Sequence, residues 1–179
     1  MSDRNPISAE PMIASTTPPT PWASACSHLE IAHPTYWLAT VRPNGMPHVM
    51  PILAVWVDGG LFFSAGARTR KARNLTSDPH CVVTVEHEPL DLVVEGTAAK
   101  ARDTATVQQV ADAYARVYGW HVTVRDGAFH PDTGGASTAG PLPYDVYEVR
   151  PTVAFGFGTD ETFFPTRWRF PERPDRGNR

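Results

Sequence analysis

The segment Ser64–Leu75 carries the side chains best suited to hold an anion. Four cations lie within six residues there: Arg68, Arg70, Lys71 and Arg73. Arginine can bind a phosphate through two parallel hydrogen bonds, whereas lysine acts as a compact point charge. A solvated basic surface would show the same residues, and the GxxxxGK[ST] pattern of a P-loop is absent from the sequence. The composition of the segment therefore leaves two interpretations open, a phosphate site and an ordinary charged surface.

The local sequence predicts that these cations lie at the start of a helix. A strand ends at Ser64, a turn of small residues follows, and Thr69 can cap a short helix that ends near Asp78-Pro79. The first N–H groups of a helix have no partner within it, and the helix dipole places partial positive charge at this end. Because phosphate groups bind readily at such a position, the segment is a candidate anion site.

The elements around this segment predict a mainly β (α+β) fold. Pro43-Asn44-Gly45 and Asp58-Gly59-Gly60 supply the residues of tight hairpin turns, which favours antiparallel pairing. The predicted strands are Tyr36–Val41, Val49–Val57, Leu61–Ser64, Cys81–Val85, Leu92–Ala99, Tyr144–Val149 and Val153–Phe157. Many short strands of this kind indicate an antiparallel β-barrel. Gly96, inside one of them, indicates a bulge or a close backbone approach, and a simple kink of the barrel would explain it equally well.

Two further helices are predicted to flank the strands. A short one is expected over Trp22–Ala32, before a proline. Asp103 or Thr104 can cap a longer one that ends at Gly119. Apolar residues recur along the longer helix at spacings of three and four: Val107, Val110, Ala111, Tyr114, Val117 and Tyr118. This stripe predicts that one face of the helix packs against the barrel.

The 179 residues suit a single domain, with irregular segments at both ends and near the end of the longer helix. The Pro-rich residues 1–21 are expected to be a flexible tail, residues 22–170 the domain, and residues 171–179 a C-terminal tail. Residues 125–141, rich in Gly and Pro, are expected to form a loop, and a loop of that length is either functional or mobile.

Composition and charge exclude several classes of function. The formal net charge of -3 and the lack of a long basic stripe predict no binding to nucleic acid. No apolar stretch is long enough for a membrane span, and no signal peptide is evident, so a cytoplasmic protein is expected. Cys26 and Cys81 form no CxxC pair, which fits a reducing compartment. The spacing of the seven histidines matches no zinc motif, so we predict no metal site.

The order of the motifs over roughly residues 35–102 resembles a known family. After the strand YWLATV and an Asn-Gly turn come FFS, TRK and NLTSDP, followed by the strand LDLVVEGTAAKA. This order is similar to that of the pyridoxamine 5'-phosphate oxidase-like proteins, the flavin-binding split barrels. The segments VYEVRPTVAFGFG and TRWRF match the family's closing strands more loosely. The resemblance implies an antiparallel split β-barrel that assembles as a homodimer, with two cofactor sites shared between the chains.

The resemblance also implies which residues hold the cofactor phosphate. In the family, the Ser or Thr, Arg and Lys of the turn after the strand bind this group. These positions correspond to Thr69, Arg70 and Lys71. Ser64 closes the strand beside them, and Asn74 is expected to be a further contact.

The same resemblance implies a separate position for the ring of the cofactor. The strand after the Asn-Gly turn packs its backbone against the ring, and the matching residues are His48, Val49, Met50, Pro51 and Ile52. The partner chain is expected to supply C-terminal residues, which here are Arg167 and Trp168. A half-buried strand histidine is the alternative interpretation of His48.

The function implied is hydride transfer between FMN and a small organic substrate. Coenzyme F420, a deazaflavin, is the alternative cofactor, because the run KARNLTSDP is similar to family members that use it. A non-catalytic flavin or haem carrier is the alternative from another class. No side chain is identified as a general acid or base, and a proton could come from solvent, His48 or a tyrosine. Thr166–Phe170 lacks the His-Asp pair of the true pyridoxamine phosphate oxidases, which argues against oxidation of vitamin B6.

Overall fold

The computed structural model describes residues 4–30, 35–132, 140–158, 160 and 162–171, and these form an antiparallel split β-barrel with flanking helices. The helices are α1 (Trp22–Glu30), α2 (Arg70–Ser77) and α3 (Thr104–Tyr118). The strands are β1 (Ser8–Pro11), β2 (Tyr36–Val41), β3 (Pro47–Ile52), β4 (Ala54–Val57), β5 (Gly60–Gly66), β6 (His80–Val85), β7 (Leu90–Lys100), β8 (Val122–Arg125), β9 (Ala128–Pro131), β10 (Tyr144–Gly158) and β11 (Thr166–Arg169). The fold class predicted from the sequence is therefore confirmed.

The sheet runs in the order β1-β11-β10-β7-β6-β2-β3, so that within the described residues β1 and β3 are its two open ends. The long strand β10 also pairs with β5, which pairs with β4, and with β9 of the β8–β9 hairpin. A register shift between Pro151 and Val153 bends β10 where it faces β7. A Cβ on Gly96 would lie 2.0 Å from the carbonyl oxygen of Arg150, so glycine is required at this bend. The close backbone approach predicted at Gly96 is confirmed.

Two apolar clusters lie on the two sides of β5, because successive side chains of a strand point to opposite faces. Leu61, Phe63 and Ala65 belong to the cluster inside the barrel. Phe62 belongs to the second cluster, which lies beneath α3. By the same alternation, the side chain of Ser64 lies on the α3 side of β5.

Helix α3 covers the second cluster as its apolar stripe predicts. Asp103 caps the helix by accepting a hydrogen bond from the Thr106 backbone N–H (2.8 Å), and Gly119 ends it with φ 63°. Its buried residues are Val107, Val110, Ala111, Ala113 and Tyr114. Tyr114 and Tyr118 donate hydrogen bonds to the carbonyl oxygens of Leu53 and Ala54, each at 2.7 Å. No helix in the described part of the chain is long and apolar enough to cross a membrane.

The single strand predicted over Val49–Val57 is instead two strands. The chain changes partners at Leu53, because β3 pairs with β2 whereas β4 pairs with β5. The hydrogen bond from Tyr114 to the Leu53 carbonyl fixes this change of partner. The sequence contains no turn residue at this point, so the pattern alone reads as one strand.

Part of the loop predicted over residues 125–141 is a hairpin, so that prediction is wrong for β9. Strands β8 and β9 pair through a two-residue turn, Asp126-Gly127, with φ values of 52° and 70°. Asp-Gly is a favoured pair for such a turn, so the local signal was present in the sequence. Residues 133–139 of the predicted loop lie outside the described residues.

The predicted N-terminal tail contains a strand. Strand β1 pairs with β11, and the backbone N–H of the buried Thr20 donates to Thr166 Oγ1 at 2.8 Å. These are contacts between the two ends of the chain, which no local pattern indicates. The predicted helix over Trp22–Ala32 is described only to Glu30, because residues 31–34 lie outside the described residues, as do residues 172–179.

Candidate functional site

Helix α2 begins at a compact cap directly after β5. The Thr69 hydroxyl donates to the Gly66 carbonyl oxygen (2.8 Å) and accepts from the Ala72 backbone N–H (3.3 Å). The Thr69 backbone N–H also donates to the Gly66 carbonyl oxygen (3.0 Å). The N–H groups of Arg70 and Lys71, at the first two helical positions, have no acceptor within the helix. The cap predicted at Thr69 is thus present, and it leaves two backbone donors at the positive end of α2.

Lys71 differs from the other cations of this segment in its burial. Its side chain is only 7% exposed, whereas Arg68, Arg70 and Arg73 are exposed. Burial lowers the pKa of the Lys71 amine. Lys71 makes no hydrogen bond or ion pair with the part of the chain that the structure describes. Burial of this cation is unfavourable, because no group among the described residues compensates for its lost hydration. A bound anion would compensate for it.

His48 of β3 faces the same cations. Burial, followed by the charges of Arg42, Arg70 and Lys71, lowers the pKa of His48 below its ordinary value. The imidazole is therefore largely neutral at pH 7. Its Nδ1 is buried and has no hydrogen-bond partner among the described residues. The structure thus places His48, which the resemblance assigns to the ring-binding strand, near Arg70 and Lys71, which it assigns to the phosphate.

Asn74 anchors α2 to the sheet. Its side chain is 1% exposed, and its Nδ2 donates to Thr40 Oγ1 at 2.9 Å. Thr40 in turn donates to the carbonyl oxygen of His48 at 3.4 Å. This chain of contacts fixes α2 relative to β2 and to the backbone of β3. Thr40 was missed in the sequence analysis, although a polar residue on the inward face of an otherwise apolar strand is a recognisable signal.

A family model identifies the chain. Residues 25–156, more than half of the chain, match the model described as pyridoxamine 5'-phosphate oxidase. The chain belongs to the pyridoxamine 5'-phosphate oxidase family. The family resemblance drawn from the order of motifs in the sequence is confirmed. No curated protein sequence matches the chain.

Solved structures share the fold at low sequence identity. A pyridoxamine 5'-phosphate oxidase-related, FMN-binding protein from Nostoc punctiforme is 18% identical, with a TM-score of 0.54 over 89% of this chain and 95% of that one. A conserved hypothetical protein from Mycobacterium tuberculosis is 16% identical, with a TM-score of 0.58 over 82% and 86%. General Stress Protein 26 from Bacillus anthracis is 15% identical, with a TM-score of 0.53 over 75% and 92%. At these identities the likeness shows the fold alone.

Strand β3 lies at an open edge of the sheet. The family resemblance predicts that the cofactor ring packs against this strand. Val49 is 52% exposed and Pro51 is exposed, whereas Ile52 points into the barrel and is buried. Met50 and His48 are partly buried on the other face of the strand. The five predicted residues therefore do not form one surface, because their side chains alternate between two faces.

The side chain of Ser64 points away from the cations of α2. It points to the α3 side of β5, where the buried hydroxyl of Tyr114 lies. Burial raises the pKa of Tyr114, and hydrogen bonding to Ser64 partly offsets that effect. Ser64 therefore lies on the α3 face of β5 and not beside the cations of α2.

The two C-terminal residues predicted to contact a partner's cofactor are engaged within their own chain. Trp168 is fully buried, its Nε1 donates to the Thr20 carbonyl oxygen at 2.9 Å, and its ring packs edge-on against Trp22. It has no exposed surface for a cofactor, so it is a core residue of this family member. Arg167 forms an ion pair with Glu10 of β1.

One end of the predicted long loop returns to the candidate site. A Cβ on Gly140, which has φ 78°, would lie 3.0 Å from Cγ2 of Thr69. Gly140 therefore lies directly beside the Thr69 cap of α2. Sequence spacing gives no indication of this contact.

Proposed function

We propose that this protein binds FMN, with the phosphate at the start of α2, and transfers hydride between that cofactor and a small organic substrate. The observation that carries the proposal is Lys71, a cation whose side chain is largely buried and has no counterion among the described residues. It lies beside the first two N–H groups of α2, which have no acceptor within the helix. Arg70 adds an exposed guanidinium at the same helix start. An anion is the ligand that these groups fit.

The donor set fits a phosphate in particular. The helix start offers backbone donors and partial positive charge, and Arg70 and Lys71 offer a planar and a point-like cation. His48 Nδ1, which has no hydrogen-bond partner among the described residues, is a further polar atom in the same electropositive region. A phosphate would offset the desolvation of Lys71 and, by its charge, favour the protonated form of His48.

The exposed face of β3 supports the proposal that the flavin ring lies against this strand. Val49 and Pro51 present apolar surface at a strand with one free edge, so that backbone groups of β3 can contact a flat ligand. FMN would supply the hydride chemistry itself when bound, and the chain would supply binding and orientation. The tether from Asn74 through Thr40 holds this strand in a fixed position relative to the phosphate end.

An exposed apolar face supports assembly as a homodimer with shared cofactor sites. Trp37, which is 47% exposed, pairs in register with Pro51, and the neighbouring Ala39 pairs with Val49. Phe157, on β10, is 42% exposed. Exposed apolar residues grouped on one sheet face are typical of interaction surfaces. A second copy covering this face would enclose the ring side of the site.

Coenzyme F420 is the second candidate ligand, and the exposed arginines Arg68 and Arg73 favour it. Both flank the phosphate position, and neither forms an ion pair with the described residues. They could meet the acidic tail that the deazaflavin carries in addition to its phosphate. FMN has no such tail, so its affinity should depend little on these two residues.

Absorbance of the purified protein and titration with both cofactors test the proposal. A yellow chromophore supports a flavin, a fluorescent chromophore at shorter wavelength supports the deazaflavin, and a Soret band supports a haem carrier. If the protein is colourless, FMN and F420 are titrated and followed by fluorescence. Failure to bind either cofactor would overturn the proposed function.

The variant Arg70→Ala/Lys71→Ala tests the position of the phosphate. Removing two charge-assisted contacts should weaken FMN binding by about a hundredfold or more. The variant Arg116→Ala/Arg125→Ala is the matched control, because it removes two exposed cations elsewhere with the same change in net charge. Equal affinities of the two variants would show that the phosphate does not bind at α2.

A further inference from the structure

A cavity of about 410 Å³ lies away from the start of α2. It is bounded by the bent part of β7 and β10, by the β4–β5 turn and by Trp22 of α1. None of the residues assigned to the cofactor lines it. Its volume is in the range of small-molecule sites, which is about 300–1,000 Å³. This cavity is therefore a second place where a ligand could bind.

The charged side chains at this cavity leave one cation in excess. Arg4 donates two hydrogen bonds to Glu148 Oε1, at 3.1 Å and 2.9 Å, so these charges satisfy each other. Arg150 Nε is 3.7 Å from Glu148 Oε2, which is too long for a hydrogen bond. This Nε is buried and has no hydrogen-bond partner in the described residues. His80 also lines the cavity, and its Nδ1 contacts Asp78 at 2.6 Å.

The apolar wall of the cavity carries a second donor without a partner. Trp22 and Trp56 both line it, with ring centroids 5.8 Å apart in an edge-on arrangement. Trp56 Nε1 donates to the Tyr36 hydroxyl at 3.1 Å. Trp22 is 6% exposed, and its Nε1 is buried without a hydrogen-bond partner among the described residues. Buried donors of this kind are rare, because leaving one unpaired is unfavourable.

We propose that this cavity binds a small aromatic carboxylic acid. The carboxylate would accept hydrogen bonds from Arg150, the excess cation, and the ring would pack against the indoles of Trp22 and Trp56. Arg150 already forms a long ion pair with Glu148, so an uncharged aromatic molecule would leave it without a hydrogen-bond acceptor. A polar acid without a ring would leave the aromatic wall uncovered.

Isothermal titration with 2-naphthoate tests this proposal, with 2-naphthalenemethanol as the uncharged control. The acid should bind with one site per chain, and the alcohol should bind at least about tenfold more weakly, because a charge-assisted hydrogen bond is lost. Arg150→Met should weaken binding of the acid by a similar factor. Arg125→Met, which removes an exposed arginine on β8, should leave binding unchanged.

Trp22→Phe keeps an aromatic ring but reduces the indole surface against which the ligand would pack, so it should weaken binding by a few fold even if Arg150→Met folds poorly. The variant Arg70→Ala/Lys71→Ala should bind 2-naphthoate like the unmodified protein, which separates this site from the proposed cofactor site. No binding of 2-naphthoate at millimolar concentration would overturn the proposal. Equal affinity for the acid and the alcohol, or unchanged affinity in both Arg150→Met and Trp22→Phe, would also overturn it.

Discussion

Burial distinguishes Lys71 from the arginines around it, and burial cannot be read from residue type. The sequence shows four cations, which are as typical of a solvated surface as of a ligand site. In the structure Lys71 is 7% exposed and lacks a counterion among the described residues, whereas Arg68, Arg70 and Arg73 are exposed. A protein without a ligand there keeps a charge in an unfavourable place. The burial of Lys71 is therefore the observation at the level of single residues that supports the proposed phosphate site.

Replacing Lys71 should therefore affect stability and binding in opposite directions. The variant Lys71→Met removes a desolvated charge and keeps most of the side-chain volume. We expect the cofactor-free variant to be more stable by about 1 kcal/mol, or roughly 2–4 °C in melting temperature. FMN affinity should fall at least about tenfold, because a charge-assisted contact is lost. Differential scanning calorimetry and fluorescence titration measure the two effects.

Lys100→Met is the matched control for this prediction. Lys100 forms an ion pair with Asp145 at 2.7 Å and is 44% exposed, so its loss should change stability only slightly and leave FMN affinity unchanged. If Lys71→Met instead lowered the melting temperature of the cofactor-free protein and left FMN affinity intact, Lys71 would have a structural role.

At the scale of elements, α2 is useful as an anion site only if it is held against the sheet. Its cap at Thr69 is local, and the hydrogen bond from Asn74 to Thr40 spans 34 positions of the chain. Both groups are almost fully buried. Asn74, which the family resemblance predicts to contact the cofactor, anchors to the sheet the helix whose start we propose as the phosphate site.

A double-mutant cycle on Asn74 and Thr40 should reveal this anchoring. Asn74→Ala and Thr40→Val should each destabilise the cofactor-free protein by about 1–3 kcal/mol, because each leaves a buried polar partner unsatisfied. The double variant should lose less than the sum, with a coupling energy above about 0.5 kcal/mol. Denaturant unfolding measures these values, and Ser77→Ala on the exposed face of α2 should cost under about 0.5 kcal/mol. Strict additivity of the two changes would contradict a tether.

The elements that could be predicted from the sequence are those with local signals. The cap at Thr69, the stripe of α3 and its end at Gly119 all depend on residues within one helix, and all are present. The break at Leu53 could not be predicted, because it depends on hydrogen bonding from Tyr114, 61 positions away. Trp168 could not be assigned to the core for the same reason. Its neighbour Trp22 is more than a hundred positions earlier in the sequence.

At the scale of the whole molecule, the sheet ends in an apolar edge. Strand β3 is one open end of the strand order, and Trp37 of the neighbouring β2 is 47% exposed on the same face as Pro51. An exposed flat edge with large apolar side chains favours association with another chain. The ring side of the proposed site lies on this same edge, so assembly and cofactor binding should depend on each other.

Trp37→Glu should therefore disrupt the proposed homodimer and weaken the proposed FMN binding together. A glutamate placed in the interface would lose its solvation without gaining a partner, which should weaken association by about a hundredfold or more. Sedimentation velocity measures the assembly, and fluorescence titration measures FMN affinity in the same samples. Ile13→Glu is the control, because Ile13 is 57% exposed just after β1, at the other end of the strand order. A Trp37→Glu protein that remained dimeric, or a monomer with undiminished FMN affinity, would show that the two chains do not share the cofactor site across this face.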